Sequence, residues 1–203
     1  MRSKRGGGWD RIPDAPDAPI QTTPTDPKKL REKLRRSGFT YLQRYSASEA
    51  HFAELMEQKL RRWETAGYVV LGEARAGDLV AALTAEFREL GLLDDAGFAA
   101  SRVASARRKG TSRLKIALGL RAKGVDGELA RTAIEEEGTD EMVAALRFCR
   151  RRRIGPWRRG ERPDRDGLNK EIAMLARQGF ATQLGRAAVL LSLEDAEEKL
   201  GLI

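Results

Sequence analysis

The chain has 203 residues, of which 38 are lysine or arginine and 30 are aspartate or glutamate, so its formal net charge is +8. A single cysteine, Cys149, excludes an intramolecular disulfide and a cysteine-based zinc cage, and a single histidine, His51, excludes most histidine-dependent chemistry. No apolar run reaches the roughly 18 residues that a membrane-spanning helix needs. We therefore expect a soluble, cytoplasmic protein without metal ions, cofactors or a membrane anchor.

Residues 1–27 hold five of the seven prolines and a triple glycine, with balanced charge. Such a segment cannot bury enough apolar surface to offset its ordering entropy, so a disordered tail is predicted. The simpler interpretation is a dispensable leader, and the alternative is a tail that steadies a partner or contacts DNA.

From Asp26 onward apolar residues recur every three or four positions, the spacing of amphipathic helices. The first predicted helix runs from there to about Arg44. Ser46 and Glu49 have the spacing of a capping box for a second helix. A third helix ends at Gly91.

The segment GLLDDAGFA at 91–99 combines a helix stop with a helix start, and Asp94 is predicted to cap the new helix. Later helix starts are predicted at Thr111 or Ser112, after Gly124, at Thr139, at about Asp164, and at Ala181 or Thr182. No stretch alternates apolar and polar residues, so we expect no sheet. The predicted fold class is all-α.

The chain also repeats itself. LRAKGVDGELARTAI at 120–134 aligns with LARQGFATQLGRAAV at 175–189, and FRELGLLDD around Gly91 is a weaker third copy. The predicted organisation is a tail at 1–27, three-helix units at 28–91, 92–138 and 139–191, and a C-terminal tail at 192–203. Because units this small cannot each bury a large core, we expect the tandem three-helix repeats to stack into an elongated, curved array.

Cations are bunched within these units. Residues 102–123 carry eight basic and no acidic side chains, and residues 142–160 carry seven and none. Such stretches suit an anionic partner, either a phosphate backbone or an acidic protein groove, although cations at helix ends also complement the macrodipole. The predicted contact residues are Arg107, Arg108, Lys109, Arg113, Lys115, Arg121, Lys123, Arg150, Arg151, Arg152 and Arg153.

Catalytic patterns are missing from the sequence. It has neither a phosphate-cradling glycine-rich loop nor a dinucleotide fingerprint, and no glycine-framed serine accompanies His51. Cys149 falls on the apolar spacing of its helix, which favours a core position. Trp157 is expected to pack under its loop, with stacking on a base or a partner side chain as the alternative. We expect no enzymatic activity.

Four segments resemble the bacterial regulatory protein RecX family. GLLDDAGFAASRVASARRKG at 91–110 and LKIALGLRAKGVDGELARTAI at 114–134 are similar to its signature stretches. YLQRYSASEA and LARQGFATQLGRAAVLL resemble further segments of the family in the expected order. The resemblance covers about 40–191 and departs from the family pattern in the proline-rich tail and the arginine-rich loop at 150–165.

The resemblance implies a DNA-repair regulator of homologous recombination and the SOS response. Such a protein binds the RecA filament on single-stranded DNA, inhibits its ATPase, recombinase and coprotease activities, and contacts DNA without sequence preference. A monomer is expected. The alternative is a helix-turn-helix regulator that recognises a defined duplex sequence, which short helices joined by capped turns would also suit.

Overall fold

A computed structural model describes residues 25–71, 76–161 and 163–203. The predicted tail therefore lies, up to residue 24, outside the described residues. The helices are α1 (Pro27–Leu42), α2 (Glu49–Thr65), α3 (Ala76–Glu89), α4 (Asp95–Arg108), α5 (Arg113–Arg121), α6 (Gly127–Glu137), α7 (Glu141–Arg152), α8 (Arg165–Ala176), α9 (Thr182–Leu190) and α10 (Leu193–Lys199), with a 3₁₀ turn at Gly155–Trp157. The described ranges contain no strand, which confirms the all-α prediction.

Most helices begin where a side chain can satisfy the free backbone N–H groups of the first turn. The carboxylate of Asp94 accepts from the N–H of Gly97, and the hydroxyl of Ser112 accepts from the N–H of Lys115. At the start of α2, the hydroxyl that accepts the N–H of His51 belongs to Ser48 and not to the predicted Ser46.

The chain forms two compact units. The first comprises the described residues up to Arg44 together with Ala53–Glu86. Its interior is built from fully buried side chains of α1, α2 and α3: Leu30, Leu34, Met56, Leu60 and Leu83. At its surface Glu86 accepts hydrogen bonds from two arginines of α1, and the bond from Arg35 is the main cause that lowers the pKa of this carboxyl.

The second unit comprises Tyr45–Phe52 and Phe87–Ile203. One core cluster in it joins α4, α5 and α6 and includes Phe98, Val103, Ile116, Leu120 and Ile134. Another joins α7, α8 and α9 and includes Leu146, Phe148, Cys149, Leu175 and Val189. The two clusters match the second and third predicted groups of three helices, whereas the division into three units stays a prediction.

The C-terminal segment 192–203 differs from the predicted tail because it contains α10. The hydroxyl of Ser192 accepts from the N–H of Asp195, which caps this short helix. Ala196 is fully buried against the core of α7, α8 and α9. One apolar contact and one cap were too weak a pattern to predict α10 from sequence.

Two fully buried serines of the second unit make the same contact at different places. The hydroxyl of Ser48 donates to the carbonyl of Lys123, and the hydroxyl of Ser112 donates to the carbonyl of Gln178 at 2.6 Å. Each accepting carbonyl precedes a glycine with a left-handed φ, +72° at Gly124 and +86° at Gly179. We call each of these sets a serine joint.

The residue after each serine completes the joint. The N–H of Glu49 donates to the carboxylate of Asp95 at 2.8 Å, and the N–H of Arg113 donates to Glu141 at 3.1 Å. These acids are the first residues of α4 and α7. The joints therefore attach the start of α2 to α4 and α5, and the start of α5 to α7 and α8, through equivalent atoms.

Gly179 tests how closely a joint is packed. A Cβ added there would lie 2.6 Å from the Ser112 hydroxyl, whereas one added at Gly160, which has the same φ of +86°, would meet nothing within 4 Å. Left-handed strain of about 1–2 kcal/mol is common to both. Gly179→Ala should lower the free energy of unfolding by a further 1–3 kcal/mol or so because of the close approach. Urea denaturation of both variants measures the difference, and equal losses would show that the joint has slack.

Candidate nucleic-acid interface

A cleft formed by α4, α5 and the turns that follow them gathers four cations. Its volume is about 260 Å³, and its charged lining consists of Arg102, Lys109, Lys115 and Lys123. Among the described residues that line it, none is acidic. Three of these cations belong to the predicted contact set, and Arg102 is an addition.

Uncharged groups hold three of the four cations. The Lys115 ammonium donates to the side-chain oxygen of Gln178 at 2.9 Å, and the Lys123 ammonium lies 3.1 Å from Nε2 of His51. The Arg102 guanidinium lies over the Phe98 ring, 5.5 Å from its centroid. Within the described part of the chain none of the four lies in an ion pair with a carboxylate, so their charges are not neutralised by the protein.

The serine joints place two of these cations. Lys115 donates its backbone N–H to the Ser112 hydroxyl, and its side chain reaches the same Gln178 whose carbonyl Ser112 holds. Lys123 supplies the carbonyl that Ser48 holds, and its side chain reaches the helix that Ser48 begins. The two ammonium groups are therefore positioned by the contacts that join the helices.

Arg107 has a different place from the one predicted. Its side chain is 1% exposed, and its guanidinium donates to the carbonyl of Thr111 at 3.0 Å, to Glu141 at 2.7 Å and to the carbonyl of Thr139 at 2.5 Å. Glu137 lies 3.4 Å from Nε. A side chain so enclosed cannot touch a partner, so the predicted contact role is corrected to a structural one.

The remaining predicted contact residues lie at the surface. Arg108, Arg113 and Arg121 are exposed, and Arg113 lies 3.7 Å from Glu141. The four arginines at the end of α7 are also exposed: Arg150, Arg151, Arg152 and Arg153. Their contact with a partner stays a prediction.

Arg102 was not singled out from the sequence, although it belongs to the basic run 102–123. It precedes Lys109 by seven residues, two turns of helix, which places both on one face of α4. A search for cations at this spacing would have found it. The same reasoning would have removed Arg107, which follows the buried Val103 by four residues.

Two other residues noted in the sequence lie in the core of α7, α8 and α9. Cys149 is fully buried, and burial above all, then the charge of Glu171, raises the pKa of its thiol to about 12. Trp157 is partly buried and packs against the same core. Across the described ranges no three His, Cys, Asp or Glu side chains are grouped so that they could hold a metal ion. No described helix has the length and apolarity to cross a membrane.

Arg107→Leu should lower the free energy of unfolding by about 3–5 kcal/mol, because it leaves the carboxylates of Glu137 and Glu141 without their buried partner. The matched control is Arg108→Leu, which removes an exposed neighbour and should change stability by no more than about 0.5 kcal/mol. Chemical denaturation compares the two. Similar values would mean that the buried arginine contributes no more than a surface one.

The Cys149 thiol gives a pH-dependent prediction. Because its folded pKa of about 12 lies above the ordinary value of 9.0, its contribution to stability is complete below pH 9 and is lost as the pH rises toward 12. Wild type should lose stability over this range faster than Cys149→Ala, as urea titrations at several pH values would measure. A thiol reagent at pH 8 should label the native protein roughly a thousandfold more slowly than the unfolded chain. Parallel pH profiles for the two proteins, or equal labelling rates, would contradict this assignment.

Comparison with known proteins is consistent with this geometry. A family model described as "RecX, second three-helix domain" matches residues 94–134, the segment that contains the whole cleft. The regulatory protein RecX of Agrobacterium fabrum is 40% identical over 108 residues, which are 53% of this chain and 57% of that protein. The chain thus spans under two thirds of that relative in the aligned part.

Longer alignments extend the similarity. The regulatory protein RecX of Halorhodospira halophila is 32% identical over 155 residues, covering 76% of this chain and 87% of that protein. The Myxococcus xanthus protein of the same name is 28% identical over 93% of this chain and 97% of its own length. The crystal structure of RecX from Lactobacillus salivarius shares the fold, with a TM-score of 0.53 and 19% identity over 87% of this chain and 99% of that one. The chain therefore belongs to the RecX family of regulatory proteins.

Proposed function

We propose that this protein regulates the RecA recombinase by binding the RecA filament on single-stranded DNA. It mainly inhibits the ATPase, recombinase and coprotease activities of RecA, and it contacts DNA without sequence preference as an accessory activity. Membership of the RecX family supports the regulatory role. The observation that carries the contact is the cleft, where Arg102, Lys109, Lys115 and Lys123 converge without an acidic residue in the lining.

The cleft has the charge arrangement that a nucleic-acid backbone requires. Cations that pair with carboxylates inside a protein offer little to phosphate, whereas the cations of the cleft keep their charge because their partners are Phe98, His51 and Gln178. Each phosphate contact releases condensed counterions, which favours binding at low salt. Side chains that are already held in place also lose less conformational entropy on binding.

Binding along a filament would combine several weak contacts on one chain. The arginines that end α7 are exposed and supply a second cationic surface. When one contact forms, the others act at high effective concentration, so the sum binds more tightly than any part. A chain held across neighbouring RecA subunits would hinder the motions coupled to ATP hydrolysis and block access of duplex DNA.

The cleft variant Arg102→Gln/Lys109→Gln should require about a tenfold higher dose to inhibit RecA ATPase on single-stranded DNA, since each lost phosphate contact weakens binding. The slope of log affinity against log salt should decrease in magnitude by about 1.4, or 0.7 for each contact. Arg177→Gln/Arg186→Gln is the control, because it removes the same charge from two exposed positions outside the cleft.

Inhibition by the cleft variant at an unchanged dose would remove the cleft from the contact surface. A strong preference of the wild-type protein for one duplex sequence, with no effect on RecA, would instead favour the helix-turn-helix regulator.

A further inference from the structure

The cleft contains more than cations. Behind them lies an apolar floor made by Ala106, Ile116 and Leu120, and beside it Gly119 presents no side chain. A Cβ added at Gly119 would meet nothing within 4 Å, so the space in front of it is open. A site that bound phosphate alone would need no apolar surface, because phosphate gains nothing from contact with it.

The size of the cleft limits what it can hold. Its volume of about 260 Å³ lies just below the range of roughly 300–1,000 Å³ that is usual for pockets of drug-sized ligands. That is room for one planar ring system with its phosphate and not for two stacked rings. Apolar floor, cationic lining and size together match one nucleotide.

We propose that the cleft receives a single unstacked nucleotide, with its phosphate among the four cations and its base against the apolar floor. The inference rests on the proposed function only for the source of that nucleotide, a DNA single strand. A base within a duplex is paired and stacked, so it could enter only after being extruded at a cost in free energy. The floor is aliphatic and offers no polar side chain to read base edges, so little preference among the bases is expected.

Filling the cleft without changing its charge separates this proposal from simple electrostatic attraction. Gly119→Leu places an isobutyl group in the open space, while Gly119→Ala adds only a methyl group and is the matched control. Both substitutions raise helix propensity at an exposed position of α5, so both proteins should fold. Circular dichroism and urea denaturation check this.

Binding is measured by fluorescence anisotropy with three labelled probes: an oligothymidylate, an abasic strand with the same number of phosphates, and a duplex of the same length. Gly119→Leu should bind the oligothymidylate about tenfold more weakly than Gly119→Ala, since the base loses its place. The abasic strand and the duplex should bind the two variants equally. In the wild type the abasic strand should bind more weakly than the oligothymidylate.

Three results would overturn the proposal: equal oligothymidylate affinity of the two variants, an equal loss for all three probes, or equal wild-type affinity for abasic and oligothymidylate strands. Calorimetry with free thymidine monophosphate distinguishes the source of the nucleotide. Binding that Gly119→Leu abolishes, tighter than that of the strand, would keep the nucleotide site and assign it to a free ligand.

The RecA ATPase assay separates this proposal from the proposed function. If Gly119→Leu inhibits RecA normally but has lost its preference for the oligothymidylate over the abasic strand, the nucleotide site holds and RecA inhibition does not use it. If the cleft charge variant loses inhibition while Gly119→Leu binds every probe normally, the proposed function stands and the nucleotide site fails.

Discussion

A buried serine hydroxyl that donates to the carbonyl before a left-handed glycine is the contact on which the second unit depends. It occurs twice, at Ser48 and at Ser112, and in both places the same oxygen also accepts a backbone N–H at the start of its own helix. One small side chain thus satisfies polar groups on two helices. A single hydrogen bond contributes about 1 kcal/mol, but leaving both buried groups without a partner costs more, so the position tolerates little variation.

The joints also explain why the basic cleft is rigid. Helix α5 has a joint at its beginning, through Ser112, and another just beyond its end, through the carbonyl of Lys123. Lys115 and Lys123 therefore project from a helix that is held near both ends. Their side chains meet an amide and an imidazole, which orient the ammonium groups without cancelling their charge. In this way packing between helices becomes a fixed pattern of positive charge at the surface.

Neighbouring cations of this unit have opposite fates. Arg107 spends its charge inside, against two glutamates and several backbone carbonyls, and ties the end of α4 to the beginning of α7. Arg131 lies between Glu128 and Glu135 on the surface of α6. The cations of the cleft meet no carboxylate within the described residues. Only this last group is placed to bind an anion, although all of them count equally in the net charge.

The sequence by itself determined the helical fold, most helix starts and the basic run from which the cleft is built, because apolar periodicity, capping residues and charge bunching are local patterns. It also carried the family resemblance and aligned Gly124 with Gly179, the glycines of the two joints. Only the tertiary structure decided which serine caps α2, that residues 193–199 form a helix, that Arg107 is buried, and that Arg102 joins three lysines around an apolar floor. Each of these depends on a contact between residues far apart in the chain or on the face of a helix that packing buries, and neither is contained in the order of residue types along one segment.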